Sequence, residues 1–423
     1  MINAILVIVN TNSSSFTPEY FSEEMKNLCK DSEINIVQTI IQNLKSINNK
    51  YYTGIGKLEE IKNAAIHNNC SAIVYDDELT PSQLKNIGEY FNDFEILDRS
   101  QIILNIFTKR ANSNEAILQV KLAKARYDLP RIGLLKGYQS REGSSGSGLH
   151  SKGSGETSQE LSKRHLAHMI SNYIGELNEI KKRKVLASQK RKQNNIPIVA
   201  LVGYTNAGKS TTMNKIIEYC NGDFEKHVYA KDELFATLDT RIRQIEYNHT
   251  KFLLVDTVGF VSKLPNSLFE AFRSTLEEIK NADLIINVLD FSSPFFNEQY
   301  NITLNMLASI DCLNTKQLLL LNKYDLLENK DVMIQGLENL PYSNISGLNN
   351  DKLLDYIKEQ IGDYEINIKL NIPYKEQKLC HIIEENATIN SKLYLSDYIY
   401  YDIAISKKYY KDLSLYEINE NIN

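Results

Sequence analysis

Short apolar runs and amphipathic stretches alternate along the first quarter of the chain. The apolar runs span four to eight residues, as buried strands do, and lie at residues 4–9, 34–41, 71–75 and 94–97. Helical periodicity is found between and after them, at residues 57–67, 81–91 and 100–109. Strands that alternate with helices are typical of a largely parallel sheet covered by helices. We therefore predict an α/β domain over residues 1–112.

The pattern changes to long amphipathic helices between residues 113 and 195. A first helical stretch ends at Asp128, ahead of Pro130, and a polar segment rich in Gly and Ser follows over residues 134–155. Beyond it, apolar residues recur at spacings of three and four, as in the seam of a long helix: Leu166, Met169, Tyr173, Leu177 and Ile180. Two such helices joined by a glycine-rich loop predict a helical hairpin.

From residue 196 onward, apolar runs end in polar motifs. The first motif is Gly203-Tyr-Thr-Asn-Ala-Gly-Lys-Ser210, which lies between the run at 196–202 and a helical stretch at 211–220. Glycines at both ends allow backbone N–H groups to surround an anion, and the helix N-terminus adds positive potential. Lys209 supplies a cation for the outer phosphates, and Ser210 offers a hydroxyl to Mg²⁺. The pattern predicts a nucleotide-phosphate site, and a mere glycine-rich turn is the alternative.

Two further motifs sharpen this prediction to a GTP site. The run at 251–255 ends in Asp256-Thr-Val-Gly259, in which the aspartate suits Mg²⁺ and the glycine N–H suits the γ-phosphate. The run at 317–321 leads into Asn322-Lys-Tyr-Asp325. The Asp325 carboxylate can accept hydrogen bonds from N1–H and the amino group of guanine, which adenine does not offer. We expect Asn322 to brace the loop and Lys323 to stack over the base.

We therefore predict a multidomain α/β protein, with the helical hairpin at 113–195, a P-loop GTPase domain at 196–362 and a small α/β domain at 363–423. Net charge is −5, and the five cysteines are scattered and suit a reducing compartment. No apolar run approaches the length of a membrane span. We expect a cytoplasmic monomer that binds GTP and GDP, has no DNA partner and is not a membrane protein.

One segment is strongly basic, although the chain as a whole carries a net negative charge. Residues 161–193 carry nine Lys or Arg against two Glu. A solvated helix face is one interpretation, and contact with RNA phosphates is the other. Because the positive charge follows a projecting hairpin, we favour RNA contact. The candidate RNA-binding residues are Arg141, Lys152, Lys163, Arg164, Lys181, Lys182, Arg183 and Lys184.

Beyond the nucleotide motifs, several segments resemble the HflX family of ribosome-associated GTPases over nearly the whole chain. They are Tyr75-Asp-Asp-Glu-Leu-Thr-Pro-Ser-Gln83, Leu97-Asp-Arg99, Leu118-Gln-Val-Lys-Leu-Ala123, Gly155-Glu-Thr157, Asp256-Thr-Val-Gly-Phe260 and Phe272-Arg-Ser-Thr-Leu-Glu-Glu278. The resemblance implies a GTPase that binds the large ribosomal subunit near its peptidyl transferase centre. It further implies that GTP binding splits stalled or idle ribosomes and that hydrolysis allows release. A large-subunit assembly or scaffold factor without splitting activity is the alternative.

The sequence also departs from the family pattern. The switch segment Ala236-Thr-Leu-Asp-Thr-Arg241 is shorter than usual, and Thr237 is our candidate for the switch hydroxyl on Mg²⁺ and the γ-phosphate. In the last guanine loop the family has Ser-Ala, whereas this chain offers Ser343-Asn344 or Ser346-Gly347. Spacing to the following Leu353-Leu354 favours the first pair.

Two residues bear on the rate of hydrolysis. Phe260 stands where many GTPases place a water-orienting Gln, and it has no hydrogen-bonding group. We therefore predict slow hydrolysis that ribosomes stimulate; simple packing of Phe260 is the alternative. Asn206 resembles the asparagine of GTPases that hold K⁺ beside the phosphates, although loop asparagines also brace turns.

The predicted site has three parts. The catalytic residues are Lys209, Thr237 and Gly259, and the Mg²⁺ ligands are Ser210, Thr237 and Asp256. The nucleotide-binding residues are Gly203, Tyr204, Thr205, Asn206, Ala207, Gly208, Lys209, Ser210, Thr211, Asp256, Gly259, Asn322, Lys323, Asp325, Ser343 and Asn344.

Overall fold

The computed structural model describes most of the 423-residue chain. The described residues are 1–11, 17–132, 154–193, 196–221, 241–248, 250–265, 268–270, 276, 278–327, 338–361, 365–406 and 409–418, with side chains of the helix at 154–193 described for 160–184. The candidates Arg141, Lys152 and Thr237 lie outside the described residues.

The N-terminal part of the chain folds around a parallel sheet of four strands. They are β1 (Ile2–Thr11), β2 (Ile34–Leu44), β3 (Ala72–Tyr75) and β4 (Glu95–Asp98). Their order is β2-β1-β3-β4, and every neighbouring pair is parallel. Alternate residues of β1 enter two apolar clusters, with Leu6 in one and Val7 in the other. The sheet is therefore buried on both faces, as predicted for an α/β fold.

Four helices accompany this sheet: α1 (Pro18–Asp31), α2 (Ile55–His67), α3 (Pro81–Tyr90) and α4 (Arg99–Arg110). The hydrophobic pattern predicted all of them except α1. Its signals were present, because Thr17 caps the helix by accepting from Tyr20 N and Pro18 occupies the first helical turn. These two residues end the polar stretch that precedes the helix.

Two further helices form the predicted hairpin arms, α5 (Asn114–Asp128) and α6 (Ser154–Gln193). They pack against each other. The predicted seam is correct, since all five of its apolar residues are partly buried: Leu166, Met169, Tyr173, Leu177 and Ile180. Most of the other side chains described on α6 are exposed. The helix therefore presents a long solvent-facing surface.

A second sheet has six strands in the order β10-β9-β8-β5-β7-β6. The strands are β5 (Ile198–Val202), β6 (Arg241–Tyr247), β7 (Thr250–Asp256), β8 (Leu284–Asp290), β9 (Lys316–Asn322) and β10 (Asn339–Pro341). Only β6 runs antiparallel to its neighbour. The described helices around it are α7 (Lys209–Asn221), α8 (Phe296–Ser309) and α9 (Asn350–Gln360).

The C-terminal part forms an antiparallel sheet of three strands in the order β11-β13-β12. The elements are β11 (Glu365–Pro373), α10 (Gln377–Asn386), β12 (Ala387–Tyr394), β13 (Tyr398–Ser406) and α11 (Tyr410–Leu413). Ile383 of α10 enters one apolar cluster with residues such as Leu370 and Tyr401. The multidomain α/β fold class predicted from the sequence is thus confirmed.

The first two sheets are not independent of each other. One apolar cluster contains Tyr20 and Phe107 from the N-terminal part, Val120 from α5, and Tyr204 and Phe260 from the part of the chain that forms the second sheet. Because this cluster crosses the junction, the N-terminal part packs directly on the phosphate-loop region. In the part of the chain that the structure describes, no helix is long and apolar enough to span a bilayer.

Candidate nucleotide-binding site

The loop from Gly203 to Gly208 connects the buried strand β5 to α7, as the sequence predicted. Gly208 has φ of +98°, and a Cβ atom added there would lie 2.3 Å from Asn322 Nδ2. A residue with a side chain would therefore be strained and would displace the neighbouring loop. Thr211 lies in the first turn of α7. The N-terminal end of α7 therefore follows directly on the loop, and backbone N–H groups at a helix N-terminus favour anions.

Lys209 is 6% exposed and turns back along this loop. Its Nζ donates to Tyr204 O at 2.7 Å and to Gly203 O at 3.1 Å. Burial lowers the pKa of Lys209 to about 8, and the negative charge of Asp256 opposes that shift. The loop thus holds a buried cation at its inner side, where the phosphates of a nucleotide would lie.

Two side-chain oxygens that could bind a metal ion, from Ser210 and Asp256, lie beside Lys209. Ser210 Oγ donates to Asp256 Oδ2 at 2.7 Å, and Asp256 is fully buried at the end of β7. A hydroxyl and a carboxylate this close together suit a small, hard cation such as Mg²⁺, which prefers oxygen ligands. The two described residues of the predicted metal set are therefore brought together.

The Asp-x-x-Gly motif is tied to the phosphate loop by its backbone. Phe260 N donates to Gly203 O at 3.1 Å, and Thr205 N donates to Phe260 O at 2.8 Å. A Cβ atom added to Gly259 would lie 2.8 Å from Thr205 Cα and 3.1 Å from Lys209 Nζ. The close approach of the two segments explains why a residue without a side chain occupies position 259.

The side chain of Phe260 is 2% exposed and belongs to the apolar cluster that crosses the junction. Tyr20 of α1 and Val120 of α5 are members of the same cluster. The packing role considered for Phe260 is therefore present in the structure. Burial of the ring also agrees with its inability to orient a water molecule.

The Asn322-Lys-Tyr-Asp325 motif follows β9 and contacts the phosphate loop. Asn322 Nδ2 donates to Ala207 O at 2.8 Å, which is the bracing role expected of this side chain. Lys323 adopts a left-handed backbone conformation with φ of 60°, and its Nζ lies 2.7 Å from Asp290 Oδ2. Asp290 ends the neighbouring strand β8. The ion pair fixes the direction of the lysine stem.

Ser343 and Asn344 lie against this motif. Ser343 Oγ donates to Asp325 Oδ1 at 2.5 Å and accepts from Ser346 N at 3.1 Å. Asn344 Nδ2 donates to Thr212 Oγ1 at 3.1 Å on α7. The structure thus brings the segment at Ser343-Asn344, predicted to be the last guanine loop, together with the Asp325 loop and the start of α7.

The predicted RNA-binding residues on α6 differ in their surroundings. Lys163, Lys181 and Arg183 are exposed, and no hydrogen bond or ion pair to Lys163 or Arg183 is found within the described part of the chain. Arg164 pairs with Glu160 at 2.6 Å and Lys182 pairs with Glu179 at 2.7 Å, both on the helix surface. Such exposed pairs contribute little and leave both cations accessible.

Lys184 has a different environment. Its Nζ lies 2.7 Å from Glu115 Oε2 on α5 and 2.8 Å from Glu278 Oε1. Glu278 and Glu115 raise the pKa of Lys184 against the effect of burial. This lysine connects α6, α5 and the GTPase region, which favours a structural role over RNA contact.

Several residues near the site carried no signal strong enough to be singled out from sequence. Asp290, which orients Lys323, follows an ordinary buried strand. The contacts of Tyr20 and Glu24 with the phosphate-loop region depend on α1, which the hydrophobic pattern missed. Arg99 was noted only as part of a family motif, although it is fully buried.

A largely parallel sheet with a phosphate loop, Asp-x-x-Gly and Asn-Lys-x-Asp at strand ends defines a P-loop GTPase. Three family profiles match the chain: "GTP-binding GTPase N-terminal" at 19–108, "GTP-binding GTPase Middle Region" at 110–191 and "50S ribosome-binding GTPase" at 198–323. The chain belongs to the HflX GTPase family, and it binds and hydrolyses GTP.

Curated relatives named GTPase HflX support this membership over nearly the full length. The protein of Caldanaerobacter subterraneus subsp. tengcongensis is 37% identical and covers 91% of this chain and 87% of its own. That of Escherichia coli K12 is 34% identical, with 84% and 83% covered. Among solved structures, a complex of SsGBP with GDP is 25% identical, with a TM-score of 0.47 and coverage of 85% of this chain and 98% of its own.

Proposed function

We propose that this GTPase binds the large ribosomal subunit in its GTP-bound form and splits stalled or idle ribosomes, and that hydrolysis to GDP releases it. The observation that carries the proposal is α6, a 40-residue helix that exposes basic side chains in a chain of net charge −5. Phosphate neutralisation by such a surface supplies RNA affinity. The family profile described as a 50S ribosome-binding GTPase supports the same partner.

We propose that the chain divides as the sequence predicted, into an α/β domain, a helical hairpin, a GTPase domain and a C-terminal α/β domain, with boundaries near residues 112, 195 and 362. Three separate sheets and the pairing of α5 with α6 support this division. A cytoplasmic location and a monomeric state remain part of the proposal.

Phosphate binding and catalysis are assigned to the loop and the residues at its sides. Lys209 neutralises the outer phosphates, the loop N–H groups bind the phosphate oxygens, and Gly259 N–H donates to the γ-phosphate. Ser210 and Asp256, with Thr237, would hold Mg²⁺, which would supply positive charge to stabilise the phosphates. The hydrogen bond from Ser210 Oγ to Asp256 Oδ2 at 2.7 Å supports this assignment for Ser210 and Asp256.

Selectivity for guanine is assigned to Asp325, whose carboxylate accepts from the base, with Lys323 stacked on it. Of the two candidate pairs for the last guanine loop, we propose Ser343-Asn344. The hydrogen bond from Ser343 to Asp325 supports this choice. Ser346 donates from its backbone N–H to Ser343 Oγ at 3.1 Å, and no hydrogen bond from Ser346 to Asp325 is found among the described residues.

Sedimentation of intact ribosomes through sucrose gradients tests the function. With the protein and a non-hydrolysable GTP analogue, we expect ribosomes to shift to separate subunits, and with GDP to remain intact. Migration of the protein with unsplit ribosomes would instead identify a scaffold or assembly factor. Absence of any association with the large subunit would contradict both functions.

The basic face of α6 is tested by charge reversal. We expect Lys163→Glu, Lys181→Glu and Arg183→Glu together to abolish large-subunit binding and to leave GTP affinity unchanged, because these exposed side chains lie on α6 and not in the phosphate loop. The matched control reverses three exposed lysines on other helices, Lys85, Lys352 and Lys378. Equal loss of binding in the control would show a general charge effect and would contradict the proposed RNA face.

A further inference from the structure

A buried charge cluster joins the N-terminal domain to the segment that follows Gly259. Arg99, at the start of α4, donates from Nη2 to Ser262 Oγ at 2.8 Å and forms an ion pair with Glu24. Its Nη1 donates to Asp76 Oδ1 at 2.6 Å. The side chains of Arg99 and Asp76 are fully buried, and that of Glu24 is 4% exposed. The cluster is thus shielded from water and from salt.

Ser262 is held by its backbone as well as by its hydroxyl. Ser262 N donates to Glu24 Oε1 at 3.1 Å and to Tyr204 Oη at 3.0 Å, and its hydroxyl donates to Glu24. Tyr20 Oη donates to Tyr204 Oη at 2.7 Å. Tyr204 belongs to the phosphate loop, so the N-terminal domain contacts the loop and the Asp-x-x-Gly segment at one point.

Lys263, the residue after Ser262, is also held by side chains of the N-terminal domain. Lys263 has φ of 47°, an unfavourable left-handed conformation for a residue with a long side chain. Its Nζ lies 2.7 Å from Asp76 Oδ2 and 2.8 Å from Asp77 Oδ1, and 4.0 Å from the centroid of the Phe21 ring. These contacts with the N-terminal domain hold the chain in a conformation that it would not adopt alone.

Gly259 is therefore followed by two anchors of different origin. The backbone of Phe260 is bonded to the phosphate loop, and Ser262 is bonded to the N-terminal domain. Only Val261 separates the anchored residues, so little freedom remains in this segment. A buried ionic cluster is a costly way to gain stability alone, because its desolvation offsets much of the attraction. Its hydrogen bonds do, however, impose one geometry.

We propose that Arg99, Glu24 and Ser262 are positioning residues that orient Gly259 N–H for the γ-phosphate, so that the N-terminal domain tunes the preference for GTP over GDP. This inference rests on the proposed contact between Gly259 and the γ-phosphate. GDP lacks that phosphate, and the ratio of GTP-analogue to GDP affinity therefore reports the contact separately from the integrity of the phosphate loop.

The test measures the affinity of the full-length protein for a non-hydrolysable GTP analogue and for GDP, with Mg²⁺ present. We expect Ser262→Ala to weaken analogue binding about tenfold, as expected for a disturbed hydrogen bond to a charged group. We expect the GDP affinity of Ser262→Ala to stay within about twofold of that of the natural protein, since the phosphate loop itself is unchanged. Glu24→Gln keeps an acceptor oxygen and the side-chain volume. We expect it also to lower the ratio of GTP-analogue affinity to GDP affinity.

Arg131 provides the matched control. It is also buried and donates to Tyr127 O at 2.7 Å and Leu79 O at 2.6 Å, and it pairs with Glu78. These partners, and Asp98 at 4.0 Å, belong to the N-terminal domain or the hairpin. Arg131→Ala is therefore expected to lower the thermal unfolding temperature without changing the affinity ratio.

Gly259→Ala tests the contact between Gly259 and the γ-phosphate separately from the positioning of Gly259 by the N-terminal domain. If Gly259→Ala leaves the ratio unchanged, the proposed γ-phosphate contact is wrong, and the positioning inference is wrong with it. If Gly259→Ala lowers the ratio but Ser262→Ala and Glu24→Gln do not, only the positioning inference is overturned. An equal loss of GTP-analogue and GDP affinity in Ser262→Ala also overturns it, because that result reports general damage to the phosphate loop.

Discussion

Asp290 Oδ2 lies 2.7 Å from Lys323 Nζ, which places an ion pair across the ends of the adjacent strands β8 and β9. Ser292 supports the carboxylate through its hydroxyl, which donates to Asp290 Oδ1 at 2.6 Å. The side chains of Asp290 and Lys323 are 18% and 27% exposed, so neither is free to sample many rotamers. The pair therefore fixes the direction of the lysine stem, which we propose stacks on a guanine base.

We expect Asp290→Asn to weaken GTP and GDP binding equally, by about three- to tenfold, because the proposed stacking partner of Lys323 is the base, which both nucleotides share. Titration with a fluorescent GTP analogue and a fluorescent GDP checks this. Asp311→Asn is the control, since Asp311 also pairs with a lysine, Lys280, but is 88% exposed. A loss confined to GTP would contradict the assignment of Lys323 to the base.

Asp325→Asn is expected to change base selectivity. The amide cannot accept from both N–H groups of guanine, so GTP affinity falls by about a hundredfold or more. Xanthine carries a carbonyl where guanine carries its amino group, and the amide N–H₂ can donate to it. We therefore expect the variant to prefer xanthosine triphosphate in competition binding. Unchanged preference for GTP would show that Asp325 does not read the base.

The buried ring of Phe260 leads us to expect slow GTP hydrolysis by the purified protein. Large ribosomal subunits are expected to raise the turnover number at least tenfold, since an outside group must order the attacking water. Phosphate release with and without purified large subunits measures this, and small subunits serve as the control. A rate that large subunits do not change would contradict the explanation.

Asn206 has φ of 61° and an exposed side chain, and asparagine is among the residues that tolerate this left-handed conformation in turns. The left-handed backbone conformation accounts for an asparagine at this position without a K⁺ ion. We therefore expect equal GTPase rates in KCl and NaCl of the same concentration, with and without large subunits. Faster hydrolysis in KCl that Asn206→Ala removes would instead assign a K⁺ ion to this residue.

Asp98 makes stability depend on pH. Burial raises its pKa to about 6, against the hydrogen bonds from Gln101 N and Leu79 N and the charge of Arg131. The folded protein therefore binds a proton between about pH 4 and pH 6 that the unfolded chain has released. The contribution of Asp98 to the free energy of unfolding is full below pH 4 and falls by about 3 kcal/mol as pH rises to 6.

Asp98→Asn removes this titration while keeping an acceptor at the N-terminus of α4. We expect its stability relative to the natural protein to rise between pH 4 and pH 6 and to stay constant above that. Urea unfolding followed by circular dichroism at several pH values measures the difference. A difference that does not vary with pH would mean that the pKa of Asp98 is not raised.

Much of the fold was predictable because its signals are local. Strands β5, β7 and β9 of the phosphate-loop sheet are short apolar runs that end in polar motifs, a pattern typical of buried parallel strands. The seam of α6 was predicted residue by residue, since helical spacing places those five positions on one face. In the N-terminal part the predicted boundaries differ from the observed ones by at most three residues, and α1 was missed because its apolar residues follow a long polar stretch.

The sequence by itself thus determined the class of fold and the nucleotide motifs, since a phosphate loop is made by the backbone of consecutive residues. Only the tertiary structure decided which distant residues support that loop. Arg99 and Ser262 are 163 positions apart, and Tyr20 and Tyr204 are 184 apart. Buried charges and hydroxyls find partners only once two surfaces have packed together, and hydrophobic periodicity records that a face is buried but not what covers it.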